Sequence, residues 1–338
     1  MLSLKAKLKV PGVLVNQIGL LSTDSFFSKN RYAENFAYGH QEILLKYMGL
    51  NFSTQIIGII EHGASRPNFL EDVRSPRFIW GQKTTFWAWS KETEELARKN
   101  NHKSVKAIGA PWLYLKKSVE AEFAATPQSS KKFLVMPSHS TGNASEIANL
   151  EEKKLRAKKF RDAIGNQSAT VCLHAADFCD PDTRKSFETY GFNVTCVGSS
   201  LIQPPWSSSG NRIKSLYTLM KLMLDHSHFI TDHYGTALIY AIDLGLEISI
   251  FPKIKEYQKL DVASSEKQNA YMLATRSETD FLLRHFSQAI DKFAPASAFS
   301  NISSRMLGVD AMMSSKDLKE TIKFRENVYM YNSDTQPW

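Results

Sequence analysis

Four polar segments, each placed directly after an apolar run, carry side chains that could do chemistry. They are IIEHGASR (Glu61, His62, Gly63, Arg66), VMPSHSTGN (Ser138, His139, Ser140, Thr141), CVGSS (Gly198, Ser199, Ser200) and FITDHYGTALIYAIDLG (Asp232, His233, Tyr234, Gly235, Thr236). The last runs from a strand through a small polar turn into a helix that opens at Gly235 and Thr236. The unpaired N–H groups and dipole of such a start attract a phosphate, and glycine lets the anion reach the backbone. The plainer use of the same residues is helix capping by Asp232 or Thr236. Ser138, His139 and Ser140 bring hydroxyls and an imidazole to another strand mouth. His62 supplies an imidazole with an ordinary pKa of about 6.5, suited to taking a proton from a hydroxyl as general base. Glu61 is the alternative base. Both cannot face one substrate atom if the strand continues through them, because strand side chains alternate. Arg66 is a candidate contact for an anionic donor or acceptor.

Other motifs point to structure rather than chemistry. In DFCDPD, Asp180 and Asp182 form a D-x-D able to ligate a divalent cation, but they stand immediately before a helical pattern, where N-capping is the expected role. With no H-E-x-x-H and no C-x-x-C, no metal site is expected, and no cofactor is indicated. Cys172, Cys179 and Cys196 read as reduced, small buried residues. KKLRAKKFR places six basic residues between Lys153 and Arg161. It reads as a solvated face paired with Glu151 and Glu152, with an anionic membrane or nucleic-acid patch as the alternative. P-loop, G-x-G-x-x-G and G-x-S-x-G patterns are absent from the sequence.

The elements that must position these residues alternate as βα units do. The 338 residues are 43% hydrophobic and 22% charged with a formal charge of +8. That composition suits a globular chain of two units, each able to bury its own core, that favours anionic partners. MLSLKAKLKVPGVLVNQIGLLS reads as a first strand and loop. The most apolar tract, near Ile230, is interrupted by Asp232, His233 and Asp243, so no membrane span is expected; the location expected is cytoplasmic, with any membrane contact peripheral to the inner membrane. NFAYGHQEILLKYMG has helical spacing and stops at Gly49, TQIIGII (54–60) reads as one strand, and TTFWAWS is a strand before the helix KETEELARKNNH, capped by Ser90. EAEFAATPQSSKK is the linker candidate. Beyond it come strands KFLVMP, ATVCLHA, NVTCVGSS, HFITD and EISIFP with helices between them, then a mainly helical end that includes SETDFLLRHFSQAIDKF. The expected class is α/β with two Rossmann-like doubly wound domains, at 1–125 and 126–260, and a helical segment at 261–338 packing back on them.

Two such halves, a strand ending in His-Gly in the first and FITDHYGTALIYAIDLGLEISIF in the second, resemble the GT-B glycosyltransferases and the related glycerol-phosphate transferases of bacterial surface polymer synthesis. Trp89–Lys91 and Ile108–Pro111 resemble the last strand, helix and interdomain crossing of the first half. The resemblance spans roughly 54–255 and is most specific over 229–251; this chain has His233 and Tyr234 where family loops often carry two serines. It implies a metal-independent transferase moving a sugar from a CMP-, UDP- or CDP-linked donor to a hydroxyl of a glycan or glycolipid, as in capsule or lipopolysaccharide synthesis. His62 (or Glu61) would be the base, Asp232–Thr236 and Ser138–Ser140 would hold donor phosphate, and Gly198–Ser200 would lie near the nucleotide base. Nucleic acid is not an expected partner of such an enzyme. The alternatives are a nucleotide-sugar 2-epimerase of the same fold and a non-catalytic module binding nucleic acid or another anionic surface.

Overall fold

The computed structural model describes residues 32–64, 84–123, 131–138, 150–197, 211–252 and 278–326. The amino-terminal strand and loop expected at 1–22 lie outside them. Within them are two parallel sheets. The smaller has the order β2 (Ile59–Ile60), β3 (Phe86–Ala88), β4 (Val105–Ala107), and helix α2 (Lys91–Lys99) makes the β3-to-β4 crossover. Ser90 caps that helix by accepting from Thr93 N–H, as the sequence suggests.

The larger sheet contains β5 (Phe133–Val135), β6 (Ala169–Leu173), β7 (Asn193–Cys196), β8 (His228–Thr231) and β9 (Glu247–Ile250). Its spatial order is β7-β6-β5-β8-β9, with every pair parallel. That is the doubly wound order: the chain steps outward from β5 to β7, then returns to the far side of β5. The α/β class with two Rossmann-like sheets is therefore the class expected.

Side-chain alternation along the strands builds two layers. Phe133 and Val135 face a cluster with Phe160, Ile164, Phe187 and Phe192, while Leu134 between them faces the other way. Helix α4 (Leu150–Ile164) covers the first layer with Ala157, Phe160 and Ile164, spaced to fall on one side of the helix. The opposite layer is not confined to the larger sheet. It continues through Tyr240 on helix α8 (Thr236–Asp243) to Trp89, Trp112 and Tyr114 beside the smaller sheet. Trp112 lies parallel to Tyr240 at 4.0 Å between ring centroids, and its Nε1 donates to Asp243 at 2.8 Å. The sequence suggests a separate core for each half; the aromatic residues beside the smaller sheet instead merge its core with that of the larger.

TQIIGII is not one strand. It divides into β1 (Gln55–Ile56) and β2, which belong to different sheets. The break is at Gly58, whose φ of +121° suits glycine and where a Cβ would strike the Trp87 ring and the Thr85 carbonyl. Asn35 bridges the break, donating to Gly58 O and accepting from Ile60 N–H, each at 2.8 Å. β1 pairs antiparallel with β10 (Phe324–Arg325) in a separate two-stranded sheet, so the end of the described chain returns to the segment just before β2. On the way, helix α9 (Ser300–Leu307) is tied to the smaller unit through Ala110 N–H and Leu307 O at 2.8 Å. Among the described residues no helix is long and apolar enough to cross a membrane. The three cysteines are free thiols, but only Cys172 is buried; Cys179, at the end of a short helix (Ala175–Cys179), is exposed.

Candidate functional site

β5 and β8 are neighbours whose chains depart in opposite directions, and in open α/β sheets the crevice beyond the carboxyl ends of such a pair is where ligands bind. The residues that follow are Ser138 and Asp232. The Asp232 carboxylate is buried and both oxygens are engaged: Oδ1 accepts from Ser138 N–H at 2.7 Å, and Oδ2 accepts from Arg156 Nε at 2.7 Å and lies 2.6 Å from Arg156 Nη2. Arg156 Nη2 also donates to Ser138 O at 2.8 Å and Ser138 Oγ at 2.7 Å. Burial alone would raise the Asp232 carboxyl, but the Arg156 guanidinium, His233 and the Ser138 amide outweigh it and hold the group well below the usual carboxylate range. Asp232 is thus a fixed anion that ties two strand ends together.

Arg156 is the residue that sequence reasoning missed. It sits inside the basic run, yet four residues before the buried Phe160 on the same side of α4, which is the signal that could have separated it from its neighbours. Much of the rest of the run serves structure. Lys153 reaches Asp180 at 2.5 Å, Lys154 pairs with Glu151 and Lys158 with Asp162, and Arg161 donates to the carbonyls of Tyr190 and Gly191. Asp180 also caps the helix Pro181–Thr189, accepting from Thr183 N–H, so the D-x-D is a helix start. Among the described residues no cluster of His, Cys, Asp and Glu could hold a metal.

The start of α8 faces the same crevice. Its N-cap is Gly235 in an extended conformation, and no side chain among the described residues caps it, so Asp232 and Thr236 are spent elsewhere. The His233 ring lies over this start: a Cβ at Gly235 would be 3.0 Å from His233 Nε2, and Nδ1 is 3.0 Å from Thr231 Oγ1. Tyr234 turns to the junction between the sheets. Its hydroxyl donates to Ala64 O at 2.8 Å, its N–H donates to Glu278 at 3.0 Å, and its ring meets Phe281 edge-on. Thr236 Oγ1 accepts from Ala64 N–H at 3.1 Å.

That last bond brings in the smaller sheet. Just past β2 the chain forms the turn Glu61–Ala64. Gly63 is required there by closeness, since a Cβ would lie 2.6 Å from Thr236 Oγ1. The two flanking side chains diverge. Glu61 is buried and accepts from Trp89 N–H at 2.6 Å and from Thr93 Oγ1 at 3.5 Å. His62 is half-buried, its ring 5.3 Å from that of Tyr38 and 6.3 Å from that of His40. His40 is fully buried, and burial, followed by the nearby His62, pushes its pKa down to about 3, so it is neutral at working pH. The structure therefore brings Gly63 and Ala64 to Thr236 and gathers Ser138, Asp232 and His233 at the ends of β5 and β8, while the His62 ring lies beside Tyr38 and His40. His139, Ser140, Thr141, Gly198, Ser199, Ser200 and Arg66 lie outside the described residues.

No protein-family model matches this sequence, and no curated protein matches it. Among solved structures, the chain is similar to the S. aureus MnaA–UDP co-structure, with 14% identity and a TM-score of 0.40 over 81% of this chain and 68% of that one. It is also similar to the UDP-GlcNAc 2-epimerase from Neisseria meningitidis bound to UDP-GlcNAc, with 15% identity and a TM-score of 0.34 over 78% of this chain and 68% of that one.

Proposed function

We propose that the chain is a transferase that moves a sugar from a nucleotide-sugar donor to a hydroxyl of a surface glycan, with His62 as general base. The observation that carries this reading is the contact of Ala64 N–H with Thr236 Oγ1, which sets the His-Gly turn of one sheet against the Gly235–Thr236 helix start of the other. A hydroxyl lying by His62 and a donor phosphate lying on α8 would then be neighbours. His62 takes the acceptor proton as the hydroxyl oxygen bonds to the anomeric carbon, and the bond from that carbon to the phosphate oxygen breaks. The departing negative charge falls on the N–H groups of the helix start and on His233, donors already fixed before reaction. Asp232 and Arg156 touch neither reacting group and act by holding both strand ends in place. Glu61, engaged with Trp89 N–H, is the weaker candidate for the base.

The test is turnover of UDP-, CMP- and CDP-sugars with and without glycan acceptors, in the wild type and in His62→Ala. General-base assistance contributes about 10² to 10⁴ in rate, so the variant should lose turnover on that scale while its melting temperature still rises with nucleotide as the wild type's does. Unchanged turnover removes His62 as the base. Conversion of the donor to a 2-epimer in the absence of any acceptor would replace transfer with epimerisation at the same site.

A further inference from the structure

Tyr38 stands out among the residues around His62 because its backbone and its exposure both run against expectation. The 3-10 segment Ala33–Gly39 ends in two successive left-handed residues, Tyr38 at φ 54° and Gly39 at φ 79°, before helix α1 (His40–Tyr47) begins. Glycine adopts that conformation readily, whereas a bulky side chain adopts it at a cost and is seldom found there unless the surroundings enforce it. The neighbours Asn35, Phe36, Gly39 and His40 are all buried, yet Tyr38 is 38% exposed as a residue. The strained residue thus sets one side of a large ring against the buried His40 and leaves the rest of it open. The ring it presents is inclined at 50° to His62 with centroids 5.3 Å apart, and His40, 5.9 Å from Tyr38 and 6.3 Å from His62, closes a triangle of three rings.

We propose that Tyr38 is a stacking platform for the acceptor, and that the acceptor it selects is a pyranoside whose C–H face lies on the phenol ring with a hydroxyl presented to His62. The inference rests on the transferase reading and adds the acceptor class to it. A pyranose is amphipathic: one face is lined with C–H groups and the rim carries hydroxyls. A half-exposed aromatic ring beside an imidazole matches both parts, apolar surface for the face and a proton acceptor for the rim. A small acyclic polyol lacks the face and is not held. Tyr38 touches the substrate without taking part in proton transfer, so it is a specificity-determining residue.

The experiment is saturation-transfer NMR on the full chain with methyl pyranosides of glucose, galactose, mannose, N-acetylglucosamine and N-acetylgalactosamine as probes and glycerol as the control. Melting-temperature shifts with UDP, CMP and CDP are measured alongside. At least one pyranoside should receive transfer at its C–H protons while glycerol does not. Tyr38→Phe and Tyr38→Trp should keep that binding, and Tyr38→Gly should weaken it tenfold or more with the nucleotide shift unchanged. Because glycine suits the left-handed backbone, Tyr38→Gly should melt at an equal or higher temperature than the wild type. A lower melting temperature would mark Tyr38 as a packing residue and overturn the proposal. Nucleotide binding with no pyranoside binding, or pyranoside binding that survives Tyr38→Gly, would overturn it and leave the transferase reading standing. Failure of both ligand classes would overturn that reading together with this one.

Discussion

The two sides of the crevice are held by different forces. On the larger sheet, the ends of β5 and β8 are fixed by directional bonds: one buried carboxylate, one guanidinium and the backbone of Ser138. On the side of the smaller sheet a second buried carboxylate, Glu61, likewise holds Trp89 N–H, but the neighbouring His62 lies beside the Tyr38 and His40 rings, and the sheet is fastened to the larger one by the Trp112–Tyr240 stack and the short turn against Thr236. Hydrogen bonds to a charge set distance and angle within narrow limits, whereas ring packing fixes an area of contact and tolerates small rotations. The difference teaches which contact can shift: the ends of β5 and β8 are rigidly specified, and the ring-packed seam between the two sheets can adjust against them.

The largest effect should come from breaking the charged side. Asp232→Ala takes the carboxylate away from the half-buried Arg156 guanidinium, a change that costs up to about 3–5 kcal/mol and should show as a lower urea midpoint. Its pH signature follows from the depressed carboxyl. The stabilisation is complete above the unfolded value of about 3.9 and is lost as pH falls toward the lower folded value, so Asp232→Asn should flatten the acid limb of the stability curve. An unchanged acid limb would show that the pair is not the stabilising anion. An intermediate effect belongs to the junction. Gly63→Ala forces the turn and the helix start apart and should cost about 1–3 kcal/mol, but less in a Thr236→Ala background, where the obstructing oxygen is gone. A double-mutant cycle measures that coupling, and simple additivity would refute the contact. At the small end, Lys158→Ala removes an exposed pair with Asp162 and should leave the urea midpoint where it is.

Much of the larger sheet was legible in the sequence because its strands are apolar runs separated by helices, one of them with the clear cap Asp180 before Pro181. The segment after β8 was legible for the same reason. Three features were not. Gly58 splits an apolar run that periodicity reads as one strand, since nothing local to TQIIGII reports the Trp87 ring that makes a Cβ impossible there. Arg156 is hidden by the charges around it: a run of basic residues looks uniform until tertiary packing turns one of them inward. The shared aromatic layer was invisible because Trp89, Trp112 and Tyr240 are far apart in the chain and each is unremarkable on its own helix or strand end.

The pairing of β1 with β10 has a consequence for how the molecule is made. During synthesis the strands of the larger sheet have all emerged before Phe324 and Arg325 do, so that sheet has its full set of partners early, while the edge at Gln55 and Ile56 waits for nearly the whole described chain to arrive. Contacts of such long sequence separation form slowly. The half built first by the ribosome is therefore the half finished last, and the unpaired edge it carries in the meantime is where a nascent chain would be most open to chaperones or to misassociation.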